Sequence, residues 1–214
     1  MSTLHIPALA AAALLALVPA RASEIEVTTA YSTAPAQPTA QAYLAVVNVA
    51  AQTPHAGYGT TTIALYDNVS NHGLFGGPVT DIGFKSVIDF VVAPDKAGDW
   101  AFRAGVDFGR GGAMLLDGAV LDFNASNVWW GGSYADLGSY LHGLATVESG
   151  AHQLVLVGLE ECCDGGQQAQ FSVAGGPYQT FGSADGLSPV PEPAAYAMLL
   201  AGLAGLAARA RHRR

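Results

Sequence analysis

Large apolar residues alternate with small or polar ones along the middle of the chain, most sharply between Asp99 and Phe108. Trp100, Phe102, Ala104, Val106 and Phe108 fall on one face of an extended segment, and Ala101, Arg103, Gly105 and Asp107 fall on the other. A period of two held over that length describes a half-buried strand and does not fit a helix. Similar runs predict strands over Thr61–Tyr66, Ser86–Val92, Ala113–Leu116, Ala119–Phe123 and Gln170–Val173. Asp117-Gly118, between two of them, is a dipeptide that favours a tight hairpin turn. Gln153–Leu159 is almost wholly apolar, as a strand covered on both faces would be. Residues 23–58 are rich in Ala, Thr, Pro and Gln and read as a loosely held segment, with one strand over Ala42–Val49. Tyr134–Leu144 suggests a short helix, weakened by its glycines. No heptads or repeats occur. The pattern predicts an all-β fold, an antiparallel sandwich of about eight to ten strands.

The two ends follow a different grammar. Ile6–Val18 is an apolar stretch, and Ala20-Arg21-Ala22 places small residues where signal peptidase requires them, so 1–22 reads as a signal peptide. At the other end Pro191-Glu192-Pro193 precedes an uncharged run, Ala194–Ala208, and a basic terminus with Arg209, Arg211, Arg213 and Arg214. The prolines stop a regular element from running into the tail. As a helix the run would be about 22 Å long, short of the ~30 Å hydrocarbon core. Its arginines would stay on the cytoplasmic side of the inner membrane, leaving the rest outside. The organisation expected is a signal peptide, a β-sandwich domain over 23–184, a linker over 185–190 and a C-terminal segment over 191–214 with a membrane-spanning helix.

Removing both ends changes the charge. Residues 23–190 keep Lys85, Lys96, Arg103 and Arg110 against sixteen acidic residues, a net charge of −12 compared with −8 for the whole chain. Such a body is repelled by phosphate backbones, which argues against nucleic acid as a partner.

The tripeptide, apolar run and arginine-rich end together resemble the PEP-CTERM sorting signal of Gram-negative bacteria. The resemblance implies processing by exosortase, transient anchoring by the C-terminal helix, and delivery to the cell surface or extracellular matrix. An ordinary C-terminal membrane anchor is the alternative.

Two further stretches carry resemblances. Gly98-Asp99-Trp100-Ala101-Phe102-Arg103-Ala104-Gly105-Val106-Asp107-Phe108-Gly109, then Leu115-Leu116-Asp117-Gly118, then Gly150-Ala151-His152 and the run to Glu160, are similar to the PA14 family of jelly-roll sandwiches. Some PA14 members bind sugar through calcium held by two adjacent aspartates. Asp107 matches the first position, but Phe108 occupies the second. Asp117, Asp122, Glu160, Glu161 and Asp164 are the carboxylates available to compensate. The resemblance makes Asp107, Arg110, Asp117, Glu160 and Trp129 the candidate ligand or calcium site; no other cofactor is expected, and no metal site is established.

Glu160-Glu161-Cys162-Cys163-Asp164-Gly165, with the Asp107–Gly112 turn and the tail, resembles the CCXG family of PEP-CTERM proteins. Cys162 and Cys163 are the only cysteines, and the compartment is oxidising. A vicinal disulfide is the favoured pairing; a cross-link to another molecule and two free thiols are the alternatives. Redox catalysts space their cysteines as C-x-x-C, so catalysis by this pair is not expected.

Other signals carry less. Asp107-Phe108-Gly109 spells a kinase tripeptide without the other kinase motifs. Gly109-Arg110-Gly111-Gly112 lacks the lysine-serine ending of a phosphate loop. His55, His72, His142 and His152 have no metal-binding spacing, and no G-x-S-x-G occurs. Arg110 is expected in a structural salt bridge with Asp107, Asp117 or Glu160. One residue of Trp129-Trp130 is expected to point into the core, leaving the other as a candidate platform for sugar rings.

These readings converge on an exported, non-enzymatic surface or matrix protein that adheres to or scaffolds exopolysaccharide. A matrix filler without a ligand site is the second reading. An extracellular glycoside hydrolase is the third, and it would need two carboxyl groups such as Asp107 and Glu160 facing a cleft about 5–9 Å apart.

Overall fold

A computed structural model describes residues 22–190. The signal peptide expected over 1–22, apart from Ala22, and the expected sorting segment over 191–214, with Pro191, Glu192, Pro193 and the terminal arginines, lie outside the described residues.

Twelve strands and two α-helices are formed among the described residues. In chain order they are β1 (Ser23–Tyr31), α1 (Ala40–Ala50), β2 (Thr60–Ile63), α2 (Asn71–Phe75), β3 (Thr80–Val92), β4 (Gly98–Gly105), β5 (Asp107–Phe108), β6 (Gly112–Leu116), β7 (Ala119–Asn124), β8 (Val128–Trp129), β9 (Leu141–Val147), β10 (Gly150–Cys162), β11 (Gln168–Val173) and β12 (Gln179–Thr180). All ladders are antiparallel. A six-stranded sheet runs β2-β1-β3-β10-β6-β7, a four-stranded sheet runs β12-β11-β4-β9, and β5 pairs with β8 as a separate ribbon.

The alternation along Trp100–Phe108 does what its period requires: Trp100, Phe102, Ala104, Val106 and Phe108 are all buried in the core between the sheets. There they meet Ile25, Val27, Phe84, Ile88 and Phe90 from the larger sheet and Phe171 and Phe181 from the smaller side. Trp100 stacks on Phe90 and Phe171 with ring centroids 5.7 and 5.2 Å apart, an aromatic cluster that adds to its area burial. Asp117 and Gly118 both take positive φ, 50° and 81°, as the type I′ hairpin between β6 and β7 demands.

β10 is apolar on both faces because both are covered. Leu154 and Leu156 enter the inter-sheet core, while Val155, Val157 and Leu159 lie beneath α1 with Ala113 and Leu115. The helix supplies Ala40, Tyr43 and Val47 to this second core. These residues recur at i, i+3 and i+7, a one-sided stripe of helical period. Thr39 caps the N-terminus, its hydroxyl accepting from the Ala42 N–H at 3.1 Å.

Two expectations are corrected here. Residues 23–58 are not loosely held: β1 sits inside the six-stranded sheet between β2 and β3, and Ala42–Val49 is helix. The β-branched valines suggested a strand, but the outer face of β10 needs cover, and the helical stripe provides it. Tyr134–Leu144 forms a 3-10 turn at Leu137–Ser139 followed by β9, its glycines giving a helix too little support.

Candidate functional site

Asp107 and Trp129 are direct register partners in the β5–β8 ribbon. The ribbon is held over the larger sheet by Phe108, whose fully buried ring packs where Gly112 and Gly158 face each other on β6 and β10. A Cβ on either glycine would collide with that ring. The geometry brings Asp107 beside Glu160, near the end of β10, and beside the Cys162–Cys163 turn that follows.

A cleft of about 230 Å³ results, lined by Asp107, Gly109, Asn127, Trp129, Glu160, Glu161, Cys162 and Cys163. The Trp129 indole is 63% exposed on its wall. A second hollow of about 380 Å³, lined by Asn127, Gly131, Ser133, Asp136 and Ser139 among others, also includes Trp129. The indole is therefore shared between two adjoining depressions. Trp130 instead packs its ring on Tyr134, with centroids 5.2 Å apart.

The acidic groups are pinned by loop amides. The Gly165 N–H donates to Asp107 Oδ2 at 2.6 Å, and the N–H groups of Gly109 and Cys162 donate to the two oxygens of Glu160 at 3.1 and 2.6 Å. Asp164 accepts from the N–H groups of Asn71 and His72 at the start of α2, at 2.9 and 2.6 Å. Cys163 and Asp164 take positive φ, 87° and 47°, a conformation that costs a non-glycine residue, and the turn is tied down on both sides by these bonds. Burial pushes Asp107, Glu160 and Asp164 all upward. Glu160 rises furthest, from 4.5 to about 7, through burial first and the neighbouring Asp107 charge second. The two carboxyl groups are hydrogen-bonded partners, so one proton is retained by the pair up to near neutrality, with Glu160 as its main holder.

Cys162 and Cys163 form the vicinal disulfide, with Cα atoms 3.8 Å apart, and both residues are exposed on the rim. The inter-chain cross-link and free-thiol alternatives are not adopted here.

The remaining candidates separate. Arg110 pairs with Asp81 at 2.9 Å and approaches Glu161 at 3.8 Å. It also donates to the carbonyl oxygens of Ser32 and Ala34. Its expected partners Asp107, Asp117 and Glu160 are not the ones it takes. Asp117 lies at the β6–β7 turn, where its carboxylate sits 2.7 Å from His152 Nδ1 and accepts from the Gln153 N–H; it does not line the cleft. Asp122 serves the backbone of His142. Sequence reasoning missed the role of Asn127 and the hollow beyond Trp129, because nothing in the pattern foretold that β8 would pair with β5.

Calcium of the PA14 kind does not fit these residues. The position that would carry the second aspartate holds Phe108, directed into the core, and Asp107 Oδ2 and both oxygens of Glu160 and of Asp164 already accept from backbone amides. Among the described residues no group of three or more His, Cys, Asp or Glu is arranged to hold a metal ion.

Comparison with known proteins adds two findings. Residues 189–214 match the PEP-CTERM protein-sorting motif, which implies an exported protein that transits the membrane. Solved structures with a similar, mostly β antiparallel fold include the PA14 sugar-binding domain from an RTX adhesin, at 14% identity and a TM-score of 0.46 over 75% of this chain and 96% of that one. The PA14 domain of the MpAFP antifreeze protein is similar at 14% identity and a TM-score of 0.49, over 75% and 87%. An epithelial adhesin A domain from Candida glabrata in complex with β-lactose is similar at 11% identity and a TM-score of 0.40, over 77% and 87%. No curated protein sequence matches the chain.

Proposed function

We propose that this is an exosortase-sorted surface or matrix protein that binds neutral sugar units of an exopolysaccharide in the cleft at Trp129. The observation that carries the reading is the exposed Trp129 indole standing over a carboxyl pair, with open hollows on both sides. An indole offers a flat apolar surface to the C–H face of a pyranose, and the exposed Asn127 amide beside it supplies a donor and an acceptor for its hydroxyls. The exposed Cys162–Cys163 disulfide forms part of the rim. In this reading signal peptidase and exosortase process the chain, the C-terminal helix holds it briefly at the inner membrane, and the domain over 23–184 carries the binding.

Contact between the carboxyl groups of Asp107 and Glu160 supports binding over hydrolysis, since glycosidases place such groups about 5–9 Å apart across the scissile bond. A purely structural matrix role is favoured by one observation: every carboxyl of the cleft's acid pair already serves a loop amide. Polysaccharide pull-down with the purified protein, with and without calcium, decides between them. Retention of a neutral polysaccharide that is unaffected by calcium and falls roughly tenfold in Trp129→Ala, a loss of about 1.4 kcal/mol, is the expected outcome. No retention by the unmodified protein would leave the structural role standing.

A further inference from the structure

The smaller sheet has a built feature on its outer face, made of residues that do not line the Trp129 cleft and bordered by Trp130, whose ring packs on Tyr134. Thr180, Gln170, Arg103 and His142 lie in one register row across β12, β11, β4 and β9. Arg103 stands in the middle. Its guanidinium carbon is 3.8 Å from the centroid of the Tyr134 ring and 3.7 Å from that of Tyr178. Its Nε donates to Gln170 Oε1 at 2.7 Å, and Gln170 in turn donates to the Thr180 hydroxyl at 3.1 Å. Tyr134 is itself fixed, its hydroxyl donating to the Gln168 carbonyl and accepting from the Gly105 N–H, both at 3.3 Å. The side chain is held in place by stacking and by one hydrogen bond rather than by charge.

What the cation lacks is an anion. No carboxylate among the described residues lies within 4.0 Å of it, in a body with sixteen acidic residues to four basic ones. The other arginine there, Arg110, has both Asp81 and Glu161. The two terminal nitrogens of Arg103 make no hydrogen bond among the described residues, and neither is enclosed without a partner. With its faces covered by rings and its Nε occupied, the donors left to it lie in the guanidinium plane along the outer edge. That fork matches a planar carboxylate in bidentate fashion. Around it are amphipathic ring surfaces: Tyr178, 40% exposed, Tyr134, and His142, 48% exposed and packed on Tyr140. Such rings suit the C–H faces of a sugar better than an extended peptide, whose backbone would need an open ladder.

We infer that the outer face of the four-stranded sheet is a second glycan site, in which Arg103 takes the carboxylate of a uronic acid residue in an acidic polysaccharide. The site uses none of the residues that line the Trp129 cleft, and the inference does not rest on the function proposed for that cleft. A guanidinium selecting a carboxylate also explains how a strongly acidic protein gains a local purchase on an acidic polymer that its overall charge repels.

Isothermal titration of the exported chain with tetragalacturonate, with the fully methyl-esterified form and with a glutamate tetrapeptide tests this. The free acid should bind at least roughly tenfold tighter than its ester, as one charge-assisted bidentate contact allows. Arg103→Gln should reduce the acid to the level of the ester, Arg103→Lys should recover only part, and Tyr178→Ala should weaken binding while Trp129→Ala leaves it unchanged. Thermal melting establishes that each variant is folded; Arg103 is at the surface, and the lysine variant with Tyr178→Ala carries the test if the glutamine variant does not fold. Equal binding of acid and ester, or undiminished binding by both the lysine and tyrosine variants, overturns the proposal. Equal binding of the glutamate peptide overturns the sugar assignment, and loss in Trp129→Ala transfers the ligand to the cleft.

Discussion

Glu160 is 1% exposed, yet it is an acid held against another acid. Its folded-state value of about 7 lies above its ordinary 4.5, so folding favours the protonated form. The stability this contributes is complete below about pH 4.5 and is lost as the pH rises through 7. Each tenfold change in proton affinity is worth about 1.4 kcal/mol. With part of the proton shared with Asp107 and part of the charge screened at the open side of the cleft, the loss between pH 4.5 and pH 8 is about 2 kcal/mol. Melting temperatures measured across that interval should therefore fall more in the unmodified protein than in Glu160→Gln, which is neutral throughout. A parallel fall in both proteins would mean that the carboxyl pair does not hold the proton. None of this was legible in the sequence: Asp107 and Glu160 stood out as candidates, but their contact depends on Gly112 on β6 and on Gly158, two residues before Glu160 on β10. That one tryptophan of the pair stays exposed was legible, but Trp130 lies beyond β8 and is half-buried against Tyr134 and Gly105, not in the core.

At the level of elements, the ribbon that carries Asp107 and Trp129 depends on the bare backbone beneath it. Gly112 and Gly158 are register partners, and the Phe108 ring occupies the space their side chains would take. Gly158→Ala forces that ring outward and with it β5. The expected cost is about 2 kcal/mol from overpacking, or roughly 4–8 °C in melting temperature for a domain of this size, together with weaker sugar retention in the cleft. Unchanged melting and retention would show that the ribbon is positioned by something else. The strands themselves were well marked wherever one face is buried, as along Trp100–Phe108, and the Asp117-Gly118 hairpin announced its own turn. The errors fell where burial comes from a distant partner. In α1, Tyr43 and Val47 are apolar at helical spacing, but the neighbouring valines mimic a strand until the outer face of β10 is known to need cover. In β1, Ile25 and Val27 alternate with Glu24 and Glu26, a short signal that a composition rich in Ala and Thr obscured.

For the whole molecule, sorting and folding occupy separate stretches of chain. β12 and the segment to Val190 are tied back to the sandwich, with Leu187 in the core and the Ser188 N–H donating to the Val91 carbonyl at 3.3 Å. The matched motif begins at residue 189, immediately after that last tie. Pro191 and Pro193 lack the N–H that a ladder or a helix interior requires. The signal was legible in full from the sequence because its motif is contiguous and needs no tertiary packing to be read, whereas the two proposed sugar sites depend on packing entirely. Replacing Pro191, Glu192 and Pro193 by alanine would join the linker to the Ala-rich run with good helix formers. In a host that carries exosortase, the replaced chain should accumulate uncut in the membrane fraction on an immunoblot while the unmodified chain is processed and leaves it. The melting temperature of the sandwich should not change. Equal processing of both chains would mean that the tripeptide is not what the protease reads, and the tail would then act only as a membrane anchor.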